Sequence, residues 1–382
     1  MKFTKVLWLI IIASSVVFPQ GEFEFSGYFS EMPVYQNIDK QLAQNYEIKR
    51  DIYMNLSRVR LRPVIYFFED TRVNLEYEAA LLAFNSTGSF DIGNAGKTDR
   101  QIVNLSATPV KEEHYRLNHF IDRLYIRQSF FFGNLIVGRQ RIQWGSGRVW
   151  NPTDLFNPIN PANFFKIEKD GADAVSFNYY LGSFTDLNLV YNPTGKIGEG
   201  NFGARFRTNY SEYDIAFISG YFDKRYVGGL DIAGNFYGAG IRFEGIFSGK
   251  SEKQENYTRF IAGIDNQFTA KLYLMMEYQF NGEGELHPEN YDISSLSTGK
   301  IINLSQNYLN LGLNYQYNPL LVLGCSLLKN INDGSGFWGL TANYDLISNL
   351  TLAAGGQISF GDLNSEYNLY GSSYYIQANY FF

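Results

Sequence analysis

Cysteine, proline, histidine and long apolar runs are all scarce in this chain of 382 residues. The single cysteine, Cys325, excludes an internal disulfide framework and most thiolate metal sites, and in its apolar run it reads as a small packing residue. The three histidines, His114, His119 and His287, are expected in loops, with no serine and supporting acid arranged beside them. That leaves no nucleophile–base constellation, so no catalytic residue and no cofactor is expected and the chain is not read as an enzyme. The acidic turns Asp333-Gly334-Ser335-Gly336 and Gly361-Asp362-Leu363-Asn364 lack the ligand spacing of a calcium loop, so no metal site is expected either. A net charge of −6 gives no basic footprint for nucleic acid. Beyond residue 20 no apolar run approaches the length of a membrane helix.

What is plentiful is aromatic residues, at 17%, and a period of two. Leu309, Leu311, Leu313, Tyr315 and Tyr317 alternate with Asn310, Gly312, Asn314 and Gln316; Leu272, Leu274, Met276, Tyr278 and Phe280 alternate with Lys271, Tyr273, Met275, Glu277 and Gln279. Each run is about ten residues, the length of a tilted membrane strand, and alternation hides an apolar face from any average of hydropathy. Tight links such as Phe132–Asn134, Tyr210–Glu212 and Ile347–Leu350 alternate with long ones such as Ser30–Asp51, Asn85–Asn118, Gly145–Gly171 and Asn281–Ser305. The expected fold is all-β: a transmembrane antiparallel up-and-down β-barrel of about 18 strands, with short periplasmic turns and long extracellular loops. Residues 1–20 read as a signal peptide, with Lys2 and Lys5 before the apolar run Val6–Val17, and residues 21–382 as one barrel domain.

Alternation also assigns the lumen, because side chains i and i+2 share a face. With Val59, Leu61, Ile65 and Phe67 outward, Arg58, Arg60 and Arg62 face in; Leu124 and Ile126 outward do the same for Arg123 and Arg127. Ile136 and Ile142 outward place Arg139 and Arg141 inside, and Phe202, Ala204 and Phe206 place Arg205 and Arg207 there; Arg242 and Arg259 complete the set. These arginines outnumber the inward acids Glu76, Glu78, Glu244, Asp265 and Glu277 in an acidic chain. A positive lumen favours anions, although arginine serves internal ion pairs equally well.

One stretch breaks the alternation. Gly138–Trp144 reads as a strand, followed by Gly145-Ser146-Gly147 and three Asn-Pro pairs, at Asn151-Pro152, Asn157-Pro158 and Asn160-Pro161. Prolines exclude both ladder and helix, so 145–171 is an ordered loop, either a constriction or a lid. Its apolar mass, Trp150, Leu155, Phe156, Phe164 and Phe165, is expected to fold inward, with Arg148, Asp154 and Lys166 contacting the arginine wall and Trp150 available to a ligand. Trp144 and Trp338 are expected at the outer ends of strands, in a membrane-interface girdle.

The final strand puts Tyr374, Ile376, Ala378, Tyr380 and Phe382 on one face. It resembles the C-terminal strand of bacterial outer-membrane barrels, which implies Gram-negative outer-membrane lipid and the barrel assembly machinery as partners. Gly138-Arg139-Gln140, Trp144-Gly145 and Asn151-Pro152-Thr153-Asp154-Leu155-Phe156-Asn157-Pro158 resemble a segment of uncharacterised porin-like barrels, and the arginine ladder is distantly similar to that of alginate-export channels. The expected function is passive transport, as an outer-membrane porin or selective channel for small anionic solutes. The alternative is a non-conducting barrel acting as a scaffold or adhesin through its outer loops. Solute, direction, gating and oligomeric state are left open by the residues.

Overall fold

The computed structural model of the chain describes residues 22–45, 47–86, 99–157, 168–194, 199–251, 255–293 and 303–382. The expected signal peptide, together with Phe164, Phe165 and Lys166, lies outside them. The first wall runs through β1 (Phe23–Asn37), β2 (Asp51–Phe68), β3 (Thr71–Phe84), β4 (Ser106–Lys111), β5 (Tyr115–Phe130) and β6 (Gly133–Gln140). The next strands are β7 (Ala172–Tyr180), β8 (Asp186–Asn192), β9 (Asn201–Tyr210), β10 (Tyr213–Phe222), β11 (Arg225–Phe236) and β12 (Ala239–Ser248). The ring continues through β13 (Tyr257–Gln267), β14 (Leu272–Asn281), β15 (Asn307–Asn318) and β16 (Leu321–Asn330). It ends with β17 (Gly336–Ile347), β18 (Leu350–Phe360) and β19 (Ser372–Phe381).

Every pairing is antiparallel, and β1 pairs with β19 from Tyr28↔Phe381 to Asn37↔Ser372, so the sheet closes on itself and has no free edge. Of the nineteen strands, β4 pairs only with β5, beside the stretch that pairs with β3 and beyond the point where β6 stops. It extends the wall locally and is not a stave, which leaves a closed barrel of 18 strands. The connections at the two ends differ in length, although the two-residue link 223–224 lies at the end with the longer ones. Residues 69–70, 131–132, 211–212, 237–238 and 348–349 link strands at one end, while 38–50, 85–105, 141–171 and 282–306 link them at the other.

Outward positions carry exposed apolar side chains, among them Phe217, Phe243, Ile264, Leu311, Leu340 and Ile376. Aromatic residues bound this band. Phe25 stacks on Phe23 and on Phe382 at the short-turn end, and Tyr35 packs between Tyr53 and Tyr374 at the long-loop end. Among the described residues no helix is long and apolar enough to cross a bilayer.

Inside, the two halves differ. At the short-turn end inward Asp214, Asn314, Gln316, Asn343 and Asp345 are exposed, as in an open polar vestibule. At the long-loop end the lumen is packed. A short helix, α1 (Lys40–Asn45), begun by the Asp39 carboxylate accepting from Gln41 N, seats Leu42 and Ala43 on inward Ile52, Met54 and Met32. The 3-10 turn Tyr367–Tyr370 packs Tyr367 among Tyr308, Leu328 and Phe337.

Candidate functional site: the lumen and its inner loop

Loop 141–171 enters the barrel because the wall offers it both a surface and acceptors. Inward Ala172, Ala174, Val190, Ile218 and Ile246 make an apolar strip across β7, β8, β10 and β12. Ile142, Trp144 and Phe156 press onto it, each at most 5% exposed. Trp144 lies edge-on to Phe156 at 5.2 Å and donates its Nε1–H to Asn188 Oδ1 at 2.9 Å. Gly203 permits that approach, since a Cβ there would lie 2.6 Å from the Trp144 ring.

Two carboxylates on the far wall then hold the backbone. Glu244 of β12 accepts from Ser146 N and Gly147 N at 3.0 Å each, and from Thr153 N and Oγ1 at 2.7 Å. Glu277 of β14 accepts from Arg148 N at 2.7 Å, Val149 N at 3.1 Å and Trp150 N at 2.8 Å. Gly145, at φ +93°, touches Glu244 so closely that any Cβ would overlap the carboxylate. Ser146 Oγ donates to Asp231 of β11. Beyond the clamp Trp150 reaches Ile261 and Tyr308, and the return leg is pinned by Gly171 N donating to Asp122 Oδ1. Within the loop Asp154 is ion-paired with Lys169; burial pushes its carboxyl up to about 6 even beside that ammonium.

The arginines fall into two sets. Arg60, 1% exposed, bridges Glu76, Glu78, Asp122 and Glu168, and Arg58 pairs with Glu78 at 2.9 Å. Glu76, Asp122 and Glu168 have their oxygens close enough together for a metal ion, but the Arg60 guanidinium occupies the centre. Arg62 pairs with Glu168, and Arg123 pairs with Asp122 and donates to Lys169 O. Arg205 and Arg207 meet Asp186, Arg242 meets Asp265, and Arg259 meets Glu283. Arg148 points into the lumen, half exposed, 3.7 Å from Asp265. The second set is Arg72, Arg127 and Arg141, which have no ion-pair partner among the described residues. Arg72 and Arg127 stand directly opposite each other, and both bury an Nε–H that has no acceptor. Arg141 lines a cavity of about 210 Å³ with Glu76, Arg123, Tyr125, Ile136, Gln140 and Glu168.

Several placements differ from those expected. β6 ends at Gln140, and the facing on it is inverted: Val137 is 45% exposed outside, while Ile136 lines the inner cavity. Arg139 therefore shares the outer face with Leu124, its register partner, where segment 102–103 covers it and Asp173 pairs with it at 2.7 Å. Trp144 sits inside the lumen and not in an interface girdle, whereas Trp338 is 45% exposed on the outer face of β17. Trp150, at 1% exposure, is an anchor and is not open to a ligand. Among the described residues the loop is held chiefly by backbone N–H groups on acids, while Glu168 and the carbonyls of Gln143 and Lys169 meet arginines of the wall. His119 lies in β5, not in a loop. The acids Asp122, Asp186 and Asp231 were missed. Asp122 is an extra residue in the β3–β5 register, between Glu76↔Arg123 and Tyr77↔Ile121, which alternation alone does not reveal. Asp231 and Asp186 lie on strands where the alternation could have found them.

The geometry defines a class: a closed antiparallel barrel with a loop folded into its lumen. No family model matches the chain, and no curated protein matches it. Among solved structures it is similar to a triple mutant of Rhodopseudomonas blastica porin at 9% identity and a TM-score of 0.47, covering 94% of this chain and 100% of that one. A low-pH structure of Pseudomonas putida OprB matches at 9% identity and a TM-score of 0.44, covering 94% of this chain and 92% of that one.

Proposed function

We propose that the protein is an outer-membrane channel through which small solutes diffuse passively, with a preference for anions. The observation that carries this reading is the division of charge in the lumen. The inner loop takes up the carboxylates Glu244, Glu277 and Asp231 of one wall, while Arg72, Arg127 and Arg141 on the other have no ion-pair partner among the described residues. A cation pair directly across two strands is unfavourable unless something negative visits it, and rings of arginine favour anions in pores. The apolar band between aromatic girdles suits lipid as its solvent. The loop narrows the passage to the arginine side.

The packing of α1 and Tyr367 in the long-loop half favours a second reading, a sealed barrel that presents its loops as a scaffold. Planar-bilayer recording decides between them. A current whose reversal potential under a salt gradient favours anions supports the channel; a folded barrel that passes no current supports the scaffold; a cation preference removes the arginine argument.

A further inference from the structure

The wall has a notch where the inner loop leaves it. β6 ends at Gln140 and β7 begins at Ala172, its register partner, while β5 runs on from Leu124, opposite Arg139, to Tyr115. On the other side β8 first pairs with β7 at Val175↔Tyr191, short of the loop. The edge of β5 beyond Leu124 would stand unpaired beside this gap, and segment 99–105 fills it. Arg100 O accepts from Asp173 N at 3.0 Å and from Asn192 Nδ2 at 2.9 Å. Ile102 N and Val103 N donate to Asp173 Oδ2 at 2.7 and 3.2 Å, and the Arg139 guanidinium donates to Val103 O. Ile121 N of β5 donates to Leu105 O at 3.0 Å, after which β4 continues along β5.

This strap holds the loop as well as the wall, because its contacts fall where the loop departs and where it returns. Arg139 lies one residue before the end of β6, and Asp173 lies two residues after Gly171. Gln101 Nε2 donates to Gly171 O at 2.8 Å, while Gly171 N donates to Asp122 Oδ1 inside the barrel at 2.9 Å, so the return leg is gripped from both sides. Gly171 has no slack, since a Cβ there would lie 2.1 Å from Asp122 O. The far end of the strap is anchored away from the loop. Arg100 donates to both oxygens of Asp223 at 2.6 and 2.7 Å, in the link between β10 and β11, where Asp223 N donates in turn to Asn201 Oδ1 at 3.0 Å. The Asp223 side chain is 65% exposed, so this anchor is open to water at the rim. Neither member of the pair lies on the inner face of a strand.

We propose that segment 99–105 is a latch on the inner loop, in which Arg100, Gln101 and Asp173 are positioning residues and the rim pair Arg100–Asp223 sets how often the loop leaves its place in the lumen. The effect on current rests on the channel reading; the latch itself does not, so the test includes a measurement that needs no current. Amide exchange of residues 145–157 is followed by mass spectrometry in the full chain folded in lipid, alongside single-channel conductance. Arg100→Gln is expected to speed that exchange by up to about fivefold, the range of one exposed ion pair, while exchange in β14–β17 stays as in the wild type. It is also expected to add brief levels of higher conductance. Gln101→Ala, which spares the ion pair, is expected to act in the same direction, and Arg100→Lys to restore part of the protection. Exchange that quickens only within 99–111, with 145–157 as slow as in the wild type in both Arg100→Gln and Gln101→Ala, overturns the proposal and leaves the strap a patch on the wall. Faster exchange of 145–157 with unchanged conductance, in a barrel that conducts, overturns it as well. Faster exchange of 145–157 in a folded barrel that never conducts upholds the latch and overturns the channel reading instead.

Discussion

Replacing Glu277 by alanine should free the inner loop without unfolding the barrel. Glu277 is 2% exposed and accepts three consecutive backbone N–H groups, so its removal leaves all three without acceptors in a buried site. At about 1–2 kcal/mol for each orphaned donor, the loop loses on the order of 3–6 kcal/mol of its attachment. Strand pairing is untouched, because Glu277 contributes to the β13–β14–β15 ladder only through its backbone. The apolar contacts of Trp144 and Phe156 remain, so the single variant should open the loop intermittently, and Glu244→Ala with Glu277→Ala should open it persistently. Glu277→Gln, which keeps one carbonyl oxygen, should have the smaller effect. Single-channel conductance is the assay, with limited proteolysis near Val149 as an independent readout. A folded double variant with unchanged conductance and no new cleavage would refute the view that these two carboxylates hold the loop in the passage.

Arg72→Gln with Arg127→Gln and Arg141→Gln should move the reversal potential toward neutrality, since these arginines have no ion-pair partner among the described residues; an unchanged potential would place the selectivity elsewhere. Arg60→Gln should destabilise the barrel by about 3–5 kcal/mol, because Glu76, Glu78, Asp122 and Glu168 would then face one another without their shared cation; heat-shift electrophoresis reads this. Gly203→Val should lower thermal stability by about 1–3 kcal/mol by displacing Trp144, whereas the same change at exposed Gly228, with open space around its Cβ, should not. Glu366, buried beneath the long loops, accepts from Leu304 N, Tyr308 Oη and Asn330 Nδ2, and burial pushes its carboxyl up to about 7. A folded-state value above the unfolded 4.5 means that this loop contact is strongest below about pH 4.5 and weakens as pH rises to about 7; amide exchange at Leu304 should show that trend in the wild type and lose it in Glu366→Gln.

The barrel was legible because its signal repeats. Each strand states its facing several times over, as in Leu309, Leu311 and Leu313, so one ambiguous residue does not change the strand's assignment. The site was less legible because it depends on places where the repeat fails once. The added residue at Asp122 turns an acid inward to meet Arg60, and Gly138, at φ +122°, stands where the strand gives way to the loop. On a strand of eight residues, Ile136 as the outward reference was enough to send Arg139 to the wrong side. The loop's apolar content told correctly that Trp150 and Phe156 would leave water. Its fastening was hidden, because backbone N–H groups carry no residue identity, and Glu244 and Glu277 read only as two more lumen acids.

That fastening takes Glu244 and Glu277 out of contact with the lumen without adding a cation to it. Had the loop been held by its own charged side chains, each contact would have used one wall charge against one loop charge and left the net field of the lumen unchanged. Backbone N–H donors carry no net charge, so they stabilise Glu244 and Glu277 while bringing no cation with them, and they cover those carboxylates from solvent by burying them to 0% and 2% exposure. The carboxylates are thereby withdrawn from contact with a passing solute, although their charge persists behind the loop. On the other wall Arg72 and Arg127 stand opposite each other, and Arg141 lines the cavity of about 210 Å³ together with Glu76 and Glu168. Near the loop a solute meets Arg141 beside Glu76 and Glu168, with Glu244 and Glu277 covered by peptide, so the preference proposed for the channel depends on Arg72, Arg127 and Arg141 outweighing the acids that remain in contact.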